Sequence, residues 1–390
     1  MSILYEERLD GALPDVDRTS VLMALREHVP GLEILHTDEE IIPYECDGLS
    51  AYRTRPLLVV LPKQMEQVTA ILAVCHRLRV PVVTRGAGTG LSGGALPLEK
   101  GVLLVMARFK EILDINPVGR RARVQPGVRN PQAVAPHNLY YAPDPSSQIA
   151  CSIGGNVAEN AGGVHCLKYG LTVHNLLKIE VQTLDGEALT LGSDALDSPG
   201  FDLLALFTGS EGMLGVTTEV TVKLLPKPPV ARVLLASFDS VEKAGLAVGD
   251  IIANGIIPGG LEMMDNLSIR AAEDFIHAGY PVDAEAILLC ELDGVESDVQ
   301  EDCERVNDIL LKAGATDVRL AQDEAERVRF WAGRKNAFPA VGRISPDYYC
   351  MDGTIPRRAL PGVLEGIARR SNMIYMLPTS FMPEMATCTR

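Results

Sequence analysis

Five glycines, at positions 86, 88, 90, 93 and 94, follow directly on the apolar run Val80–Val83, and the next apolar run begins at Val102. The interval before it contains Pro97 and ends at Gly101. Proline breaks a helix, and the six residues Leu96–Gly101 are too few for a helical crossover, so two strands joined by a glycine-rich loop are required. Glycine tolerates close backbone approach because it has no Cβ, so the loop is expected to lie against other backbone or a ligand. Gly88, Gly90 and Gly93 match G-x-G-x-x-G, but the dinucleotide fingerprint needs a helix opening at the last glycine, so an NAD-type site is disfavoured. What remains is a row of amides able to converge on an anion such as a pyrophosphate, with a ligand-free turn as the plain alternative.

The charge balance makes that local field necessary. With 36 basic and 51 acidic residues the 390-residue chain carries a formal charge of -15, which repels phosphate backbones, so nucleic acid is not expected as a partner. No run approaches the roughly 18 apolar residues of a membrane span, and the start, MSILYEERLDG, lacks the basic and apolar regions of a signal peptide. A cytoplasmic chain without a direct membrane span is expected, with partners as the one route to a peripheral place at the inner membrane. The eight cysteines form no C-x-x-C pair, which argues against a disulfide framework, a zinc ribbon or an iron–sulfur centre carried by this chain.

Val68, Ile71, Leu72 and Cys75 fall at i, i+3, i+4 and i+7, which predicts an amphipathic helix from Gln64 between strands at Leu57–Leu61 and Val80–Val83. Short β-branched runs at Val102–Val105, Leu176–Val181 and Val216–Leu225 indicate a second, sheet-rich lobe. Lys223–Val230 (KLLPKPPV) holds three prolines, which disfavour both helix and sheet pairing, and marks a domain boundary. Beyond it, strands at Arg232–Ser237 and Ala286–Leu292 alternate with helices at Val241–Asn254 and Val299–Ala313, the pattern of a two-layer βαβ-type domain.

A second glycine-rich stretch runs from Tyr140 to Gly170 (YYAPDPSSQIACSIGGNVAENAGGVHCLKYG). Its glycines 154, 155, 162 and 163, with Asn156 and Asn160, offer another set of open backbone donors, unless the glycines serve packing alone. Two such segments, each beside short strands, are better explained by one extended ligand touching both than by unrelated turns.

TRGAGTGLSGGA, PDPSSQIACSIGGNVAENAGG and TGSEGMLG (Thr208–Gly215) resemble the FAD-binding (PCMH-type) domain of the vanillyl-alcohol-oxidase family, and within it the FAD subunits of bacterial glycolate oxidases and their D-2-hydroxy-acid dehydrogenase relatives. The resemblance implies an α+β fold: a lead-in over 1–52, an FAD domain of two α/β lobes over 53–228, an incomplete βαβ-type substrate domain over 229–372, and an aberrant tail over 373–390. It implies that Gly86, Ala87, Gly88, Thr89, Gly90, Gly93 and Gly94 hold the FAD pyrophosphate. Pro143, Asp144 and Ser147 would lie near the flavin, Gly154, Gly155, Asn156, Asn160 and Gly162 would continue the cofactor wall, and Gly212 and Val216 would close the far side. His165 stands where some relatives attach FAD covalently, or is a packed loop histidine; non-covalent binding is expected.

Arg334, in FWAGRKNAF, matches the family's carboxylate clamp, a role suited to a planar guanidinium, although it could instead be a surface helix charge. Arg343 with Tyr348 and Tyr349 is a secondary candidate, the tyrosines being more often packing residues. Relatives continue into HxGDGNxH, which holds a metal and supplies the base; no histidine follows His277 here, so no metal site is expected and turnover is expected to be weak or absent. The activity implied is oxidation of glycolate or a similar short 2-hydroxy acid to the 2-oxo acid, with iron–sulfur and FAD-binding partner subunits. D-lactate or another D-2-hydroxy acid as substrate, and a non-catalytic flavin-binding subunit, are the alternatives.

Overall fold

The helix expected after Gln64 spans Met65–Leu78, with Val68, Ile71, Leu72 and Cys75 buried and Arg79 closing it in the left-handed conformation. It packs on a four-stranded sheet ordered Glu33–Leu35, Leu58–Leu61, Val102–Val105, Val82–Arg85, in which the last three strands are parallel and the first is antiparallel to its neighbour. These elements come from a computed structural model that describes residues 16–129, 132–195, 200–345, 355–356, 359–374 and 380–381. Tyr348 and Tyr349 lie outside the described residues, as does most of the segment 373–390.

By its internal contacts the chain divides into two units, Met1–Ala161 with Leu171–Pro226, and Gly162–Gly170 with Lys227–Arg390. In the first, a second, wholly antiparallel sheet is ordered Ile112–Asn116, Arg121–Val124, Val216–Lys223, Leu176–Gln182, Ala188–Gly192. The strands Val82–Arg85 and Val102–Val105 are joined by the glycine loop with no helix between them, as the spacing of Pro97 and Gly101 requires. The proline-rich segment differs from expectation in one respect. Leu225–Pro226 does pair with Leu139–Tyr140, in a two-stranded ribbon whose short edge tolerates a residue without an N–H.

In the second unit Val230–Phe238 and Gly260–Asp265 both run antiparallel to Ala286–Gly294, which lies between them. They are therefore parallel to each other, with helix Val241–Ala253 as the crossover: a split βαβ arrangement. The expectation of two layers is corrected to three. Val241–Ala253 and Glu296–Lys312 cover one sheet face, and Asn266–Ile276 and Glu324–Lys335 cover the other. The physical reason lies in the central strand, where Ala286 to Leu292 is buried without alternation, as a strand covered on both faces must be.

Candidate functional site

The glycine loop is held from beneath by Arg85, the last residue of its strand. Arg85 is 6% exposed and donates to the carbonyls of Tyr44 (3.2 Å), Ala95 (3.1 Å) and Cys46. Asp47 holds the same corner from the other side, accepting from the Leu49 amide at 2.9 Å and the Ala95 amide at 3.3 Å. Gly48 presses on the loop so closely that a Cβ there would lie 2.6 Å from the Gly90 carbonyl oxygen. Inside this frame the amides of residues 86–94 donate to no protein acceptor among the described residues. A row of backbone N–H groups without protein partners is available to an acceptor. Gly88 and Gly93 take φ of +69° and +83°, which turns the amides out of strand alternation.

The other two glycine segments meet this loop within the same unit. A Cβ on Gly86 would lie 2.3 Å from Ser152 Oγ, and one on Gly94 would lie 2.7 Å from Glu159 Oε1 and 2.9 Å from Glu211 Oε2. Helix Ile153–Glu159 therefore lies along the loop, capped by Ser152, which accepts from the Gly155 amide at 3.3 Å. The Thr208–Gly215 segment closes the helix's other end: the amides of Gly209 and Glu211 donate to Val157 O (2.8 Å) and Ala158 O (2.9 Å). Gly212, at φ +76°, would bring a Cβ to 3.5 Å from Thr84, and Val216 is buried at the start of its strand. Burial, followed by the charges of Glu211 and Asp47, pushes the Glu159 carboxyl up to about 7.

The expectation of open donors at Gly154 and Gly155 is corrected. The amides of Ile153 and Gly154 are spent on Val128 O and Pro126 O at 2.8 Å each, and that of Asn156 on Ser152 O at 2.9 Å. Gly154 serves close approach, since a Cβ there would meet Pro126 at 2.5 Å. Asn160 caps the helix at φ 46° and accepts from the Val173 amide at 3.0 Å. Pro143 and Asp144 are buried, and the carbonyl of partly buried Ser147 accepts from the Ala150 and Cys151 amides at 2.8 Å each. Gly162 falls on the short segment that groups with the second unit.

In the second unit, helix Glu324–Lys335 directs Arg327, Trp331 and Arg334, one helical face, at two buried carboxylates on neighbouring strands. Arg334 Nε donates to Glu262 Oε2 at 2.8 Å. Its terminal nitrogens donate to no acceptor among the described residues. Glu291 takes Arg327 at 2.7 Å, Trp331 Nε1, and His165 Nε2 at 3.1 Å. Burial works to raise the Glu291 carboxyl, but His165, Arg327 and Trp331 together outweigh it and hold the carboxyl below its usual range. Lys168 and Tyr169 add a further tie to Asp293. Arg343 lies elsewhere, stacked over Phe275 at 4.9 Å and donating to Asp274 O at 3.2 Å. Sequence reading overlooked Arg85, Asp47, Glu159, Glu211 and Glu291. Glu159 and Glu211 sit inside the quoted motifs, but nothing in their spacing shows that they converge.

The first unit thus carries a loop of partnerless amides fixed by a buried arginine, and the second an arginine fork on a split βαβ sheet. The FAD binding domain family model matches residues 56–192, and that of FAD linked oxidases, C-terminal domain, matches residues 227–378. The chain belongs to the FAD-linked oxidases. It is 99% identical over 374 residues to the glycolate oxidase subunit GlcD of Escherichia coli (strain K12), covering 95% of this chain and 75% of that protein. It is 32% identical to a D-lactate dehydrogenase of Anaerostipes hadrus over 320 residues, 79% of this chain and 67% of that one. In fold it is similar to 4-ethylphenol oxidase from Gulosibacter chungangensis in an isoeugenol complex, with a TM-score of 0.74 at 17% identity over 95% of this chain and 82% of that one. FAD fits the residues present in one respect: the loop offers a row of amides that no protein acceptor takes among the described residues. Among the described residues no helix is long and apolar enough to cross a membrane.

Proposed function

We propose that this chain oxidises glycolate, or a similarly short 2-hydroxy acid, to the 2-oxo acid, as the flavin subunit of an oxidase whose iron–sulfur and FAD-binding partner subunits relay the electrons. The reading is supported by the 99% identity to a glycolate oxidase subunit, and it is carried by Arg334. A buried guanidinium whose Nε is committed to Glu262 presents its two terminal nitrogens as a fixed fork, the arrangement that binds a carboxylate bidentately.

When bound, FAD supplies the hydride acceptor. The amides of residues 86–94, with Gly212 and Val216 beyond them, would hold it, and residues 53–228 form the cofactor domain in this reading. Asp47 and Arg85 keep the loop in shape. Arg334 binds the substrate carboxylate and orients the α-carbon, and Glu262 prevents the guanidinium from turning. Arg343, stacked on Phe275, is at best a secondary contact. FAD is held non-covalently, so acid precipitation releases all of it into the supernatant.

The test is anaerobic addition of glycolate or D-lactate to the FAD-loaded chain while the flavin absorbance is followed. Bleaching by glycolate at lower concentration than by D-lactate is expected. Bleaching by D-lactate alone would favour the second reading, which the similarity to a D-lactate dehydrogenase supports, and bleaching by neither would overturn both.

A further inference from the structure

Glu159, the last residue of its helix, turns its carboxylate toward the glycine loop and has neither a cation nor a hydrogen-bond donor as partner among the described residues. Its Oε1 lies 3.4 Å from the position of a Cβ on Gly90 and 2.7 Å from one on Gly94, where Glu211 Oε2 also approaches to 2.9 Å. Two carboxylates thus flank one glycine of the amide row. Asp47, from the segment against the loop, adds like charge. Arg85, which ends the preceding strand, is committed to three carbonyls, and the His174 ring accepts from the Leu171 amide, so neither neutralises Glu159. An ionised Glu159 repels a diphosphate seated on these amides. The carboxyl's own elevation to about 7 puts this conflict in the physiological range.

We propose that Glu159 takes up a proton from solvent as the FAD diphosphate settles on the amides of residues 86–94, so that the cofactor is bound by the neutral carboxyl form and released progressively as pH rises. No covalent bond to the flavin forms or breaks. The proposal rests on the FAD reading of the loop.

Apoprotein of the full chain is titrated with FAD by quenching of flavin fluorescence from about pH 6 to about pH 9 at constant ionic strength. Proton uptake on mixing is followed at about pH 8, where the free carboxyl is ionised, in weak buffer with an indicator dye. In the unmodified chain Kd should rise above about pH 7 by up to about tenfold per pH unit, the limit for one linked proton. Glu159→Gln should bind FAD with little pH dependence over that range and without proton uptake. Glu211→Gln, which removes one repelling charge, should move the break to lower pH. A slope in Glu159→Gln equal to that of the unmodified chain, or FAD binding without proton uptake, would overturn the proposal. Failure of the unmodified chain to bind FAD at any pH would overturn the FAD reading of the loop, and the proposal with it.

Discussion

Arg334 Nε and Glu262 Oε2 meet at 2.8 Å, with side chains 4% and 0% exposed. A pair this deep is held together because either charge alone would be costly there, and its orientation sets which guanidinium edge remains for a ligand. Arg334→Lys replaces a fork by a point charge. It should raise KM for the 2-hydroxy acid by roughly 10- to 100-fold, the worth of a charged hydrogen bond, while FAD content stays unchanged. Steady-state kinetics beside flavin quantification checks both halves. Glu262→Gln, which leaves the arginine uncompensated, should instead lower stability by about 3–5 kcal/mol in thermal or urea unfolding.

Gly86 and Ser152 test the seating of the loop on its helix. Alanine at 86 would place a Cβ 2.3 Å from Ser152 Oγ, with Gly155 N next at 3.5 Å. Overpacking of this kind costs about 1–3 kcal/mol, and here the loop yields, displacing the amides. Gly86→Ala should therefore bind FAD at least roughly tenfold more weakly. Adding Ser152→Gly removes the clashing oxygen at a cost of only a few tenths of a kcal/mol at a helix cap, so the double variant should recover much of the affinity.

Asn160 joins a left-handed backbone, φ 46°, to a side-chain bond with the Val173 amide. Asn160→Ala loses the bond and strains the backbone, about 2 kcal/mol together, whereas Asn160→Gly loses the bond alone, about 1 kcal/mol. Thermal unfolding should rank glycine above alanine at this position. The reverse order would mean that the side chain's value lies in another contact.

Legibility in the sequence followed the range of the interaction. The helix Met65–Leu78 was readable because its period is local, and the loop after Arg85 because Pro97 and Gly101 left no space for a helix. The three-layer second unit was misread because a strand buried on both faces shows no alternation and resembles any short apolar run. The open donors supposed at Gly154 and Gly155 were also a misreading, since composition does not reveal that Pro126 and Val128 come back to accept from this segment. Convergence of Glu159 and Glu211 on Gly94, with Asp47 on the neighbouring Ala95 amide, depends on three segments far apart in the chain, and a single sequence carries no trace of that meeting.

Glu291 is the point at which the segment bearing His165 is tied to the second unit, and its titration predicts the pH dependence of that tie. The carboxyl is held below its usual range in the folded chain by His165, Arg327 and Trp331 against the opposing effect of burial. A carboxyl depressed by folding contributes stability at pH above its unfolded value of about 4.3, and that contribution is lost as pH falls through the folded value. Glu291→Gln should accordingly destabilise the protein by about 1.5–3 kcal/mol at neutral pH, the worth of charged hydrogen bonds, since Arg327 keeps its pair with Glu324, and by progressively less in acid as the unmodified chain loses the same charge. His165→Ala, which removes one of three donors and leaves the others, should cost about 1.5–3 kcal/mol. Unfolding curves at neutral and acid pH for the three proteins test this. A deficit in Glu291→Gln that does not shrink toward acid would show that the glutamate acts by shape and not by charge.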